Sequence, residues 1–119
     1  MRYLLLIYNT AEHEQEVVNS EEAMRTEYQE YMEFNDVAEK SGTLRSGIQL
    51  QSPTTATTVR VRDGKISTTD GPFAETKEHL GGYYLLDCDN LDTAVELAAK
   101  IPGAKYASVE VRPIVEYGQ

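Results

Sequence analysis

Asp70 heads the run Asp70-Gly71-Pro72-Phe73, and His79 follows it closely, flanked by Lys77 and Glu78. A carboxylate held by a Gly-Pro turn at the mouth of a cleft can act as a base or grip a polar ligand. The plainer alternative is a hydrogen bond to its own turn. A histidine brought to that carboxylate would complete an acid–base pair. Left alone in a polar loop, it is simply solvated. Asp70 and His79 are therefore the candidate catalytic residues. Glu110 and Arg112 stand two apart on an alternating segment, so their side chains share one face of a strand. Charges on a covered face must pair or bind something. The choice lies between an ion pair, across strands or between subunits, and an arginine that grips an anionic substrate. Tyr8, Tyr84 and Leu86 could line the walls of such a cleft. The candidate ligand-binding set is Tyr8, Lys77, Tyr84, Glu110 and Arg112.

Metal and cofactor chemistry find little footing. Glu75-Thr76-Lys77-Glu78-His79 approaches an H-x-x-E-H zinc pattern but lacks its first histidine, and His13 is remote in the chain. No metal site is expected. A glycine-rich phosphate loop and a nucleophile elbow are both missing, so no cofactor is expected either. Gly81-Gly82 reads as a close-packed entry to a strand.

The elements that must position these residues emerge from hydrophobic pattern. Residues 3–8, Tyr-Leu-Leu-Leu-Ile-Tyr, form a continuous apolar run that reads as a strand buried on both faces. Residues 9–19 read as a polar connection. Asn19 then caps a helix, with Glu22 three positions on. Met24, Tyr28, Tyr31, Asn35 and Ala38 recur at helical spacing, and Ser41-Gly42 ends the helix. Residues 43–50 form a second strand with Leu44, Ile48 and Leu50 on its apolar face. Residues 57–62 and 65–68 alternate about Asp63-Gly64, a type I′ hairpin signal that sets Val61 opposite Ile66. Residues 74–80 are polar and allow one helical turn. A strand over 83–88 comes next. A second helix, capped by Asp89 or Asn90, buries Leu91, Ala94, Val95, Leu97 and Ala98. Pro102-Gly103 stops it, and residues 107–113 are the last strand.

This order is β-α-β, an inserted hairpin, then β-α-β. Two such units with right-handed crossovers give an α+β, ferredoxin-like sheet with both helices on one face. The chain of 119 residues suits a single domain over its whole length. Two helices cover one face only, yet residues 3–8 and 83–88 are apolar on both. A second copy packed sheet on sheet is the simplest cover, so a homodimer is expected. The inserted hairpin folding over its own sheet is the rival cover.

Eleven basic residues against twenty acidic ones give a formal charge of −9, and half the acids fall between Glu12 and Glu39. Such a surface repels nucleic-acid phosphates and anionic membranes alike, so neither is an expected partner. A small organic ligand remains open. Cys88 is the one cysteine, so an internal disulfide is ruled out, and its apolar surroundings suit an inert thiol. The opening apolar run is too short for a secretory core or a membrane span, which points to a cytoplasmic location.

The stretch from Asp70 to Glu78, with Leu80-Gly81-Gly82-Tyr83-Tyr84, resembles the signature of the DGPF proteins of the YCII-related family. Val109-Glu110-Val111-Arg112-Pro113 matches that family's closing motif, and the likeness covers nearly the whole chain. The resemblance implies a ferredoxin-like subunit in a dimeric α+β barrel. Some relatives are encoded beside extracytoplasmic-function sigma factors, which implies a regulatory link. Others are enzymes, among them a dehydrochlorinase of a chlorinated hydroquinone that relies on a His–Asp pair. There the histidine lies on the first helix; here the corresponding region holds Tyr31 and no histidine. Three functions stand side by side: a small-molecule binding protein with a regulatory role, a cofactor-independent lyase or isomerase using Asp70 and His79, and a protein-interaction module presenting the acidic helix to a sigma factor.

Overall fold

The computed structural model describes residues 1–117. Strand β1 (Arg2–Thr10) runs into helix α1 (Ala11–Val18), which is followed by the long helix α2 (Glu21–Lys40). Then come β2 (Leu44–Gln49), the hairpin β3 (Thr57–Arg62) and β4 (Lys65–Asp70), β5 (Glu78–Asp87), α3 (Leu91–Ala98), the short turn α4 (Gly103–Tyr106) and β6 (Val109–Pro113). Four strands form an antiparallel sheet in the order β2-β5-β1-β6. That order is what two interleaved β-α-β units produce, with β1 and β5 at the centre. The hairpin β3–β4 forms a separate two-stranded sheet.

The core lies on one face of the large sheet. Tyr3, Leu5 and Ile7 alternate along β1 and, with Leu86, pack beneath Phe34 and Ala38 of α2 and beneath Ala94, Leu97 and Ala98 of α3. Both helices therefore cover the same face. Cys88 is buried in this core. The other face carries Leu4, Leu6 and Tyr8, with Leu85 and Tyr83 in register opposite Leu4 and Leu6. Glu110 and Arg112 pair in register with Leu6 and Leu4, so they share this uncovered face and hydrogen-bond to each other.

Several elements differ from the sequence reading. Residues 11–18 are helical rather than a polar connection: the Thr10 hydroxyl caps α1 by accepting from the His13 amide at 3.1 Å. With no buried residue, α1 carries no apolar stripe to betray it. The cap of α2 is Ser20, which accepts from the Ala23 amide at 3.1 Å, and Asn19 instead ends α1. A bulge between Leu44 and Ser46 switches the faces of β2, so Leu44 joins the core while Ile48 points to the open side. Residues 74–77 form no helical turn before β5 begins at Glu78. Leu91 and Val95 are exposed, because α3 sits over the sheet through Ala94, Leu97 and Ala98 alone. The hairpin keeps its expected register, Val61 opposite Ile66, with Asp63 (φ 53°) and Gly64 (φ 74°) as the two left-handed residues of the turn. It does not fold over the sheet.

Candidate functional site

A cleft of about 560 Å³ opens between α2 and the helix-covered face of β2, β5 and β1. Its walls arise from the helical repeat. Met24, Tyr28, Tyr31, Met32 and Asn35 lie on the side of α2 turned toward the sheet edge, where β2 carries too little side chain to fill the gap. Gly47 and Gly82 make the floor. A Cβ on Gly47 would sit 2.6 Å from the Tyr84 ring, and one on Gly82 would sit 2.5 Å from the Ile48 carbonyl oxygen. Both glycines are thus required for close approach, the first beneath an aromatic ring and the second between paired strands.

Tyr84 spans the cleft. Its hydroxyl donates to Asn35 Oδ1 at 2.7 Å, and its ring lies 4.9 Å from that of Phe34. Burial raises its pKa. Tyr31 is pushed up to about 12, first by burial and then by the nearby Glu27 carboxylate. Both phenols are therefore neutral across the physiological range and offer hydroxyl groups.

At the other end, His13 Nε2 lies 3.0 Å from Glu27 Oε2, and the imidazole stacks on Tyr106 with ring centroids 3.9 Å apart. The neighbouring Glu14 reaches the opposite way, to His79 Nε2 at 3.2 Å. Each histidine side chain is only 14% exposed. Two consecutive residues of α1 thus tie it to α2 and to β5, and these polar ties do what an apolar stripe does for other helices. A partly buried carboxylate–imidazole pair beside a cleft has the parts for proton transfer. Among the described residues, no three His, Cys, Asp or Glu side chains gather in a way that could hold a metal ion.

The residues singled out from sequence fall in several places. Tyr84 is in the cleft. His79 is not among the residues that line it and is bonded to Glu14 rather than to Asp70. Asp70 is the exposed last residue of β4, opposite Thr57, and no hydrogen bond joins it to His79 among the described residues. Lys77 is exposed just before β5. Tyr8, Glu110 and Arg112 are together on the uncovered face of the sheet, whereas Tyr84 and Leu86 are on the covered one, so the proposed walls divide between two surfaces. His13, Glu27, Tyr31 and Asn35 line the cleft without having been placed in a site from the sequence, where Tyr31 and Asn35 read only as stripe positions of the helix. One signal was present: an asparagine at a stripe position of α2, where a polar side chain needs a partner.

A model of the YCII-related domain matches residues 1–117 of the chain. The chain is also 35% identical over 127 residues to the uncharacterized protein R00369 of Rhizobium meliloti (strain 1021), covering 98% of this chain and 94% of that protein.

Proposed function

The chain belongs to the YCII-related family, and we propose that it binds a small organic molecule in the cleft beneath α2, acting as a homodimer joined through the uncovered face of its sheet. The observation that carries the reading is the Tyr84–Asn35 pair, set beside Met24, Tyr28, Tyr31 and Met32 in a cleft that also holds His13, Glu27 and Glu39. The cleft volume falls within the range of ligand sites, roughly 300–1,000 Å³. Walls of this mixed kind select a ligand with an apolar body, flat enough to lie against Tyr84, and with several hydrogen-bonding groups. The homodimer rests on Leu4, Leu6, Tyr8, Tyr83 and Leu85, which face away from both helices and need a cover. A regulatory role is implied if ligand and assembly are coupled. No helix among the described residues is long and apolar enough to cross a membrane.

A thermal-shift screen of small aromatic and heteroaromatic compounds tests this. Hits should raise the melting temperature of the wild-type chain. The shift should shrink at least severalfold in Asn35→Leu, which removes the acceptor, and in Tyr84→Phe, which removes the donor. Shifts unchanged in both variants would place the ligand elsewhere, and a screen with no hits would count against the reading.

A second reading, a cofactor-independent enzyme, is favoured by the His13–Glu27 pair at the end of the cleft. There the histidine would serve as the proton acceptor, with Glu27 holding its orientation. Turnover of a bound hit that vanishes in His13→Gln while binding persists would select this reading over simple binding.

A further inference from the structure

The hairpin β3–β4 stands away from the body of the protein. Its hydrogen bonds are its own: the Gly71 amide to the Ala56 carbonyl at 2.7 Å, the Thr58 hydroxyl to the Gly71 carbonyl at 2.8 Å, and the strand ladder between. Every residue of β4 is exposed, Ile66 to 76%, and Phe73 beyond it to 81%. The radius of gyration is 16.4 Å, against about 13–14 Å for a compact chain of this length. A lone two-stranded hairpin is at best marginally stable in water. The register makes this one amphipathic: Val59, Val61 and Ile66 share one side, and Arg60, Arg62 and Lys65 the other.

We propose that this arm reaches across to a second copy of the chain and packs its Val59–Val61–Ile66 side against it, a proposal that rests on the homodimer reading above. Two arguments select a second copy. The first is area. The four strands of the face run for 9, 6, 10 and 5 residues, and at about 3.3 Å per residue and about 4.8 Å between strands their footprint is only about 480 Å². A standard interface takes about 800 Å² from each partner. Two exchanged arms supply apolar surface toward the difference, and twofold symmetry uses each arm once. The second is charge. The chain carries −9 overall, with ten acids on α1 and α2 against Arg25 and Lys40, whereas the arm from Thr57 to Asp70 has three bases and two acids. The arm is thus a locally basic element on a strongly acidic molecule. The bases have no acidic partner in their own chain among the described residues; lying on the side away from the Val59–Val61–Ile66 contact, they draw the arm toward a second acidic copy by long-range attraction rather than by pairing within the contact.

Sedimentation velocity across a concentration series, with hydrogen exchange on the same samples, tests the arm apart from the sheet. The triple variant Val59→Ser, Val61→Ser, Ile66→Ser should weaken dimerisation at least tenfold while leaving the circular-dichroism spectrum of the body intact. Arg60→Glu with Arg62→Glu should weaken it severalfold and remove part of its salt dependence. In the wild type, amides of β3 and β4 should exchange slowly only at concentrations where the dimer forms. Unaltered dimerisation of both variants, with arm amides indifferent to concentration, would overturn the arm proposal. In that case the sheet reading survives if Leu6→Glu still breaks the dimer. A wild-type chain that stays monomeric throughout would overturn both.

Discussion

Strands β1 and β3 both carry aliphatic side chains at alternate positions, yet they end in opposite environments. Leu5 is wholly buried between the sheet and two helices, while Val61 stands exposed on the arm. The difference does not lie in the strands themselves. β1 is central, hydrogen-bonded on both edges by β5 and β6, and helices of the same chain lie over it. β3 has one partner strand and nothing beneath it. Alternation therefore marks a strand with an apolar side. Whether the same chain covers that side depends on the connection that leaves the strand. A crossover helix returns to the sheet, whereas a tight turn returns only to the neighbouring strand.

The largest expected effect tests this contrast directly. Leu5→Ala should cost about 2–5 kcal/mol in urea unfolding, the ordinary cost of a fully buried leucine. Val61→Ala, measured where the chain is monomeric, should cost under about 1 kcal/mol, since it removes only strand preference on an exposed surface. Equal costs for the two would mean that the arm is packed in its own subunit, and the contrast would break.

The same contrast explains how much could be read in the sequence. β1, β5, the two main helices and the hairpin register were legible because each carries a local signal: an apolar run, a helical stripe, or Asp63-Gly64. The side of the sheet holding Glu110 and Arg112 was legible too, since period two fixes it once the strand is known. The cleft was not. It depends on the bulge at Leu44–Ser46, which sets Gly47 beneath Tyr84, and on α1, whose hold on the body is His13–Glu27 and Glu14–His79. Such ties join residues far apart in the chain and leave no periodicity. Asp70 and His79 looked like a pair because they are close in sequence. The turn after β4 leaves the first on the arm, and the pairing of β5 with β1 carries the second toward α1.

A smaller effect sharpens the comparison from the covered side. Tyr31 holds its proton up to about 12, burial being the main cause, against about 10 for an unfolded tyrosine. Below pH 10 both states are protonated and Tyr31 adds no slope. Above it the unfolded chain releases the proton first, so stability falls as pH rises from about 10 to 12, by up to about 2–3 kcal/mol. Tyr31→Phe should flatten that part of the pH–stability curve. The arm contains no tyrosine between Thr57 and Asp70, so variants there should leave the slope unchanged. A wild-type curve with no more slope than the Tyr31→Phe curve would mean that this phenol is hydrated, and the cleft beside it open.

The smallest effect concerns a third region, which lies between the two extremes. The segment after β6 is tied to the start of β1 by the Ile114 amide, which donates to the Arg2 carbonyl at 3.0 Å, and by Arg2 Nη2 to Glu116 Oε2 at 2.8 Å. The arginine holds the Glu116 carboxyl below its ordinary range, mainly through that hydrogen bond. A lowered carboxylate stabilises the folded state above its unfolded pKa, and the gain is lost as pH falls through the folded value. Both side chains are substantially exposed, and an exposed pair is screened by salt. Arg2→Ala should therefore lower the melting temperature slightly at neutral pH and low salt, and not at all in high salt or in acid. The arm has no comparable tie to the body among the described residues. A loss as large as that of Leu5→Ala, or one that persists in high salt, would show that this segment is held by packing and belongs with the core.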